Sequence, residues 1–309
     1  MDHLSMGVSN MKKFLINIAI FFAIVAVVDF SLGKLFLYLQ ARASGRTGAE
    51  YYVCEKATED VIIMGSSRAS HHYVPEIITK KTGMSCFNAG QDGNGIILQY
   101  GRWKMLSERY TPKVIIYDVN ASFDLETNDN TRYIDRLKPF CDNKAVKDYV
   151  SSLYPLERLK LLSNMYRYNY KFIEMAFDNI RVEDFKLLEG YIPLYGKIRE
   201  EIINKPIIER SRSISYDEVK LYYLERLLIE ANDVGSKVIL VVSPSWKGGG
   251  YEPVIYSEIK DMANRYGVQF VDYLNSDICD IPDCFQDSQH LNDNGASEFI
   301  EDLALRIKQ

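Results

Sequence analysis

Only four histidines occur in this 309-residue chain, His3, His71, His72 and His290, so a mechanism that needs an imidazole has few to choose from. His290 ends the run Asp287-Ser288-Gln289-His290. An Asp three residues before a His on a loop can turn its carboxylate onto Nδ1, fix the tautomer and leave Nε2 to take a proton from a hydroxyl. Serines able to give that proton stand in Gly65-Ser66-Ser67, where the glycine permits a sharp turn after the apolar run Val61-Ile62-Ile63-Met64. A serine just behind such a turn presents its hydroxyl where the first amides of a helix favour a developing oxyanion. Asn88-Ala89-Gly90-Gln91-Asp92-Gly93-Asn94-Gly95 has glycines that can bring backbone amides close to a substrate, and Asn120, in Asp118-Val119-Asn120, offers a side-chain amide. Together these residues suit acyl transfer through an activated serine. Singly, each also has a plain reading, as turn serines and glycines or a helix-capping histidine. Arg68, His71 and His72 adjoin the serines; Arg68 meets an anionic substrate group or lies solvated, and the two histidines touch substrate or lie on the surface of the turn.

Other chemistries lack their residues. Gly93-x-Gly95 has no third glycine for a dinucleotide fingerprint, no P-loop Gly-Lys-Ser/Thr follows the first apolar run, and no His-Glu-x-x-His exists, so no cofactor and no metal is expected. A formal net charge of -5 without a long Lys/Arg block argues against nucleic acid as a partner.

The elements that must hold these residues read as α/β. Val61 to Met64, Val114 to Tyr117, Val238 to Val242 and Val268 to Val271 are short runs of the kind buried in parallel sheets, with a shorter one at Cys86-Phe87. Helical patterns lie at Pro75 to Thr82, closed by Gly83, and at Ile96 to Arg109, Tyr216 to Asn232, Glu252 to Tyr266 and Asn294 to Ile307. Strand followed by helix places helices on both faces of one sheet. Ligands then bind outside the carboxyl ends of the strands, where the residues above stand. The stretch 121–215 breaks the rhythm; it is helical and Tyr-rich, an inserted subdomain or lid, with Tyr166, Tyr168 and Tyr170 expected to pack rather than bind.

Behind Lys12 and Lys13 the chain turns apolar, and 14–39 is long enough to cross a hydrocarbon core of about 30 Å. It is expected to be an uncleaved anchor in preference to a signal sequence ending at Ala41-Arg42-Ala43. Lys12 and Lys13 favour an inside N-terminus, against Lys34, Arg42 and Arg46 behind the span, so the domain is expected outside the cytoplasm. The organisation is then a tail at 1–13, the anchor, a polar linker at 40–50 and a domain at 51–309. The five cysteines, Cys54, Cys86, Cys141, Cys279 and Cys284, give no clean framework; Cys279 and Cys284 form a disulfide in an oxidising compartment or stay free.

In order, Gly-x-Ser after a first strand, Asn-x-Gly after a short second one, a strand-terminal Asn and a C-terminal Asp-x-x-His resemble the SGNH/GDSL hydrolase family from about Val61 to the C-terminus, with the middle insertion outside it. The resemblance implies a flavodoxin-like three-layer α/β/α sandwich with a parallel sheet. It also implies a catalytic set of Ser67, His290 and Asp287, an oxyanion hole of the Ser67 and Gly90 amides with the Asn120 side chain, and an acyl-serine intermediate. Gly65-Ser66-Ser67 in place of Gly-Asp-Ser is similar to the membrane-anchored envelope branch, while Asp118 stands where the third block has glycine. What this implies is a membrane-anchored esterase removing acyl groups, acetyl foremost, from an envelope carbohydrate. The alternatives are an O-acyltransferase passing the acyl group to a cell-envelope polysaccharide, or an inactive glycan-binding or assembly protein.

Overall fold

The apolar N-terminal run and the polar stretch behind it fold as two helices, α1 (Asp2–Arg42) and α2 (Arg46–Glu55). The computed structural model describes every residue except 1, 129, 170, 181–184, 205–214, 251–252 and 308–309, so Tyr170 lies outside the described residues. Between Asn10 and Arg42, α1 is long and apolar enough to cross a membrane, and Phe14, Phe21 and Phe22 face outward without protein cover. The stretch expected as a linker is largely helix: Thr47, Gly48 and Glu50 of α2 are buried, and Glu50 receives the cations of Arg136 and Lys171. Gly48 is required there, because a Cβ would lie 1.8 Å from the Ala43 carbonyl oxygen.

The alternating part follows as β1 (Val61–Gly65), α3 (Ser67–His72), α4 (Pro75–Thr82), β2 (Cys86–Asn88), α5 (Ile96–Arg109) and β3 (Val114–Asp118). Short helices come next, α6 (Lys144–Leu153), α7 (Glu157–Lys160), α8 (Asn164–Tyr168), α9 (Phe172–Asp178) and α10 (Glu200–Ile203). The chain closes with α11 (Glu218–Asp233), β4 (Lys237–Val242), α12 (Ser257–Tyr266), β5 (Gln269–Asp272) and α13 (Asp293–Ile307). Proline at the first position of α4 costs no helical bond, and Gly83 ends that helix in the left-handed conformation at φ 75°.

All five strands are parallel, in the order β2-β1-β3-β4-β5. Successive side chains leave a strand on opposite faces, and both faces are apolar here. Ile62, Met64, Ile115, Tyr117 and Leu240 join a core with residues of α2, α5, α11 and α12. Val61, Ile63, Ile116, Ile239 and Val241 join a second core with α4 and α13. The sheet is therefore covered by helices on both sides. The strand order reverses at β1, which opens a crevice beyond the carboxyl ends of β1 and β3.

The described residues between Ala121 and Ser215 carry helical turns and no named strand. Tyr133, Leu137, Tyr149 and Val150 of this stretch join the core that contains α5. Its later part runs along the carboxyl edge of the sheet: Glu189 accepts the Asn88 N–H, Ile192 donates to the Ser70 carbonyl, and Ile198 donates to the Phe285 carbonyl.

Candidate active site

Gly65 leaves β1 at φ 140°, and a Cβ there would lie 2.7 Å from the Asp118 carbonyl oxygen, so the turn into α3 needs glycine. Two serines follow, and burial separates them. Ser66 is fully buried, whereas Ser67 is partly exposed at the first position of α3, where its N–H has no intrahelical partner. Ser67 Oγ lies 2.8 Å from His290 Nε2.

His290 Nδ1 faces both oxygens of Asp287, at 3.1 and 3.0 Å. Asp287 Oδ1 also accepts the backbone N–H groups of Gln289 and His290. Burial works to raise the Asp287 carboxyl, yet the His290 hydrogen bond and these amides prevail and hold it below the ordinary carboxylate range. The carboxylate stays ionised, Nδ1 carries the proton, and Nε2 is left to accept from Ser67.

The remaining donors expected at the crevice divide. Gly65 pairs with Asp118 across β1 and β3, so Asn120 stands two residues past its strand as Ser67 does past β1. Asn120 Oδ1 accepts the Ser122 N–H, and its backbone N–H goes to Asp124 Oδ2 at 2.7 Å, which fixes the side chain at the mouth of the crevice. The Gly90 N–H points instead to Asn88 Oδ1, at 2.9 Å. Glycine is nevertheless required at 90, because a Cβ would lie 2.4 Å from the Ser70 backbone nitrogen of α3.

Arg68, His71 and His72 are all buried, neither solvated nor at the surface. Arg68 donates to the carbonyls of Val119 at 2.6 Å and Ser243 at 3.3 Å, with Nε 3.4 Å from Asp118 Oδ1. Burial opposes its charge, but Asp118 prevails and keeps the guanidinium protonated. Tyr73 completes the cluster by donating to Asp118 Oδ2 at 2.6 Å. The expectation that Arg68 binds substrate is thus corrected: its donors face the interior, and Asp118 stands where glycine was expected because Arg68 needs a counter-charge.

His72 Nε2 accepts the Leu291 N–H at 3.0 Å, so the proton sits on Nδ1, which donates to Ser243 Oγ at 3.0 Å. Burial first, then the nearby His290, Arg68 and His71, drive its titration well below the ordinary 6.5, and the ring is neutral. His71 Nδ1 donates to the Ile192 carbonyl at 2.7 Å, while Nε2 lies 3.2 Å from Asp92 Oδ1. Arg46 lies 2.9 Å from the other oxygen of Asp92; burial acts to raise that carboxyl, but the hydrogen bond from His71 and the charge of Arg46 hold it low. The His71 ring stands edge-on to His290, with centroids 5.6 Å apart. Both histidines therefore support the loop and ring of His290 rather than reaching for a ligand.

The supporting residues Asn88, Asp92, Asp124 and Ser243 carry no spacing signal in the sequence, except that an Asn at the end of a strand is a frequent turn former. Asp124 is the broadest of them, accepting from Tyr117 Oη and the amides of Ile96 and Asn120. Burial raises its carboxyl to about 6 against the pull of those donors. Among the described residues no group of three or more His, Cys, Asp or Glu is arranged to hold a metal ion. All five cysteines are buried free thiols, Cys279 and Cys284 included. No protein-family model and no curated protein matches the chain.

Proposed function

We propose that this chain is a membrane-anchored serine esterase of the SGNH type that removes acyl groups from a carbohydrate of the cell envelope. The observation that carries the reading is the aligned series Ser67 Oγ, His290 Nε2 and Asp287, with 2.8 Å between hydroxyl and imidazole. His290 takes the Ser67 proton as Oγ attacks the ester carbonyl. The oxyanion receives the Ser67 N–H and the Asn120 side-chain amide; the Gly90 N–H joins only by leaving Asn88. The tetrahedral intermediate collapses as His290 gives its proton to the departing sugar oxygen. Water, deprotonated by His290, then attacks the acyl-serine and releases the acid.

The order of the four motif blocks, the parallel sheet with helices on both faces, and the place of Ser67 beyond β1 support an SGNH fold. The apolar helix α1 supports the anchor, and Lys12 and Lys13 support a domain outside the cytoplasm. The test is turnover of p-nitrophenyl acetate by the full chain in detergent. Wild type is expected to release nitrophenol, with Ser67→Ala and His290→Ala each reducing turnover by about 10³-fold or more. Activity indifferent to both substitutions would overturn the assignment, and turnover seen only with an added sugar acceptor would replace hydrolysis by transfer.

A further inference from the structure

The helices α7 to α9 present apolar side chains that the protein leaves uncovered. Leu156, Leu159 and Leu162 on and around α7, and Ile173, Phe177 and Ile180 on and after α9, are each more than half exposed. Both triplets follow helical spacing, so each makes a stripe rather than a scatter. Contiguous exposed apolar surface of this kind marks an interaction face.

What covers this face is indicated by where it is attached. Asp29 of α1 accepts hydrogen bonds from Ser163 Oγ, the Asn164 backbone and side-chain amides, and the Met165 N–H. Gly33 of α1 faces Asn164 so closely that a Cβ would lie 2.5 Å from its Cγ. Higher on the same helix the Asn179 side chain donates to the Leu39 carbonyl, and just past the helix the Ser44 N–H donates to the Asp178 carbonyl. The α8–α9 unit is thus clasped to α1 between Asp29 and Arg42. Measured from Phe14, a hydrocarbon core of about 30 Å is filled after about 20 helical residues, near Gly33. The clasp therefore runs from the last turns of that core at Asp29 into the headgroup layer beyond Gly33, and the apolar residues Leu162 and Ile180 directly adjoin the clasp residues Ser163 and Asn179 along the chain. Arg158, set among these leucines, suits the phosphates of that layer. The four donors on Asp29 also explain how a carboxylate is tolerated so far along the span.

We propose that residues 156–169 and 171–180 form a collar seated in the bilayer interface beside α1, with Leu159 and Phe177 among the side chains immersed in lipid. The occupant is phospholipid, since the segment that carries these exposed apolar side chains is hydrogen-bonded to the apolar helix α1 at Asp29 and Leu39. The proposal rests on α1 being the membrane anchor.

The experiment uses the full chain in phosphatidylcholine–phosphatidylglycerol vesicles, with a nitroxide on a cysteine introduced by Leu159→Cys, Phe177→Cys, Val25→Cys or Asp261→Cys; the five native cysteines are buried. Collision with oxygen, enriched in lipid, is compared with collision with a water-soluble nickel chelate. Labels at 159 and 177 are expected to give an oxygen-to-nickel ratio several-fold above that at 261 and close to that at 25. A ratio matching 261, or exclusion of both reagents as under a covering protein, overturns the collar while a lipid-like ratio at 25 leaves the anchor standing. A water-like ratio at 25 overturns both.

Discussion

His72 Nε2 accepts the backbone N–H of Leu291 at 3.0 Å, tying the helix that begins with Ser67 to the loop that carries His290. This bond requires a neutral imidazole at 72, and burial keeps it neutral. The unfolded chain binds a proton there below about 6.5 while the folded chain does not. Stability at that site is therefore full above about 6.5 and falls as the pH drops below it, by about 1.4 kcal/mol per pH unit. Thermal unfolding in detergent from pH 7.5 to 5.5 is expected to show a falling midpoint, and His72→Gln is expected to flatten the fall.

Arg68 and Asp118 form a buried pair beside Ser67, and removing one partner strands the other charge. Arg68→Met or Asp118→Asn alone is expected to destabilise by about 3–5 kcal/mol, with the double variant costing less than the sum. Chemical unfolding of the three variants measures the coupling. Strict additivity would mean that the two groups do not depend on each other.

The two ends of the Asn120 amide are separable: Oδ1 accepts the Ser122 N–H, and Nδ2 is the donor proposed for the oxyanion. Asn120→Asp keeps the acceptor and removes the donor. It is expected to lower kcat by about 10²–10³-fold with little change in the unfolding midpoint. An unaltered kcat would remove Asn120 from the oxyanion hole.

Gly90 is held by packing against α3, with the Ser70 nitrogen 2.4 Å from where a Cβ would stand. Because that neighbour is backbone, Gly90→Ala is expected to lower the unfolding midpoint, and the turnover that remains is expected to require Ser67 still. A Gly90→Ala variant as stable as wild type would show that α3 gives way.

The strands were legible because fully buried parallel strands need short β-branched runs, and those at Val61, Val114 and Val238 begin within one residue of their expected starts. The helix at Arg46 was not, because its burial depends on Glu50 meeting Arg136 and Lys171 from the far insertion. The juxtaposition of Ser67, His290 and Asp287 was legible from two local motifs. The parts played by His71 and His72 were hidden, since their partners Ile192, Ser243 and Leu291 lie 121, 171 and 219 residues away. Arg68 was misread for the same reason: nothing local announces the carbonyls of Val119 and Ser243 that enclose it.

The central claim is that Ser67 is a nucleophile activated by His290. A fluorophosphonate probe followed by peptide mass mapping of the full chain tests it without assuming a substrate. The expected result is one adduct, on Ser67, absent from Ser67→Ala and strongly slowed in His290→Ala. An adduct on another residue, or equal labelling of wild type and Ser67→Ala, would contradict it.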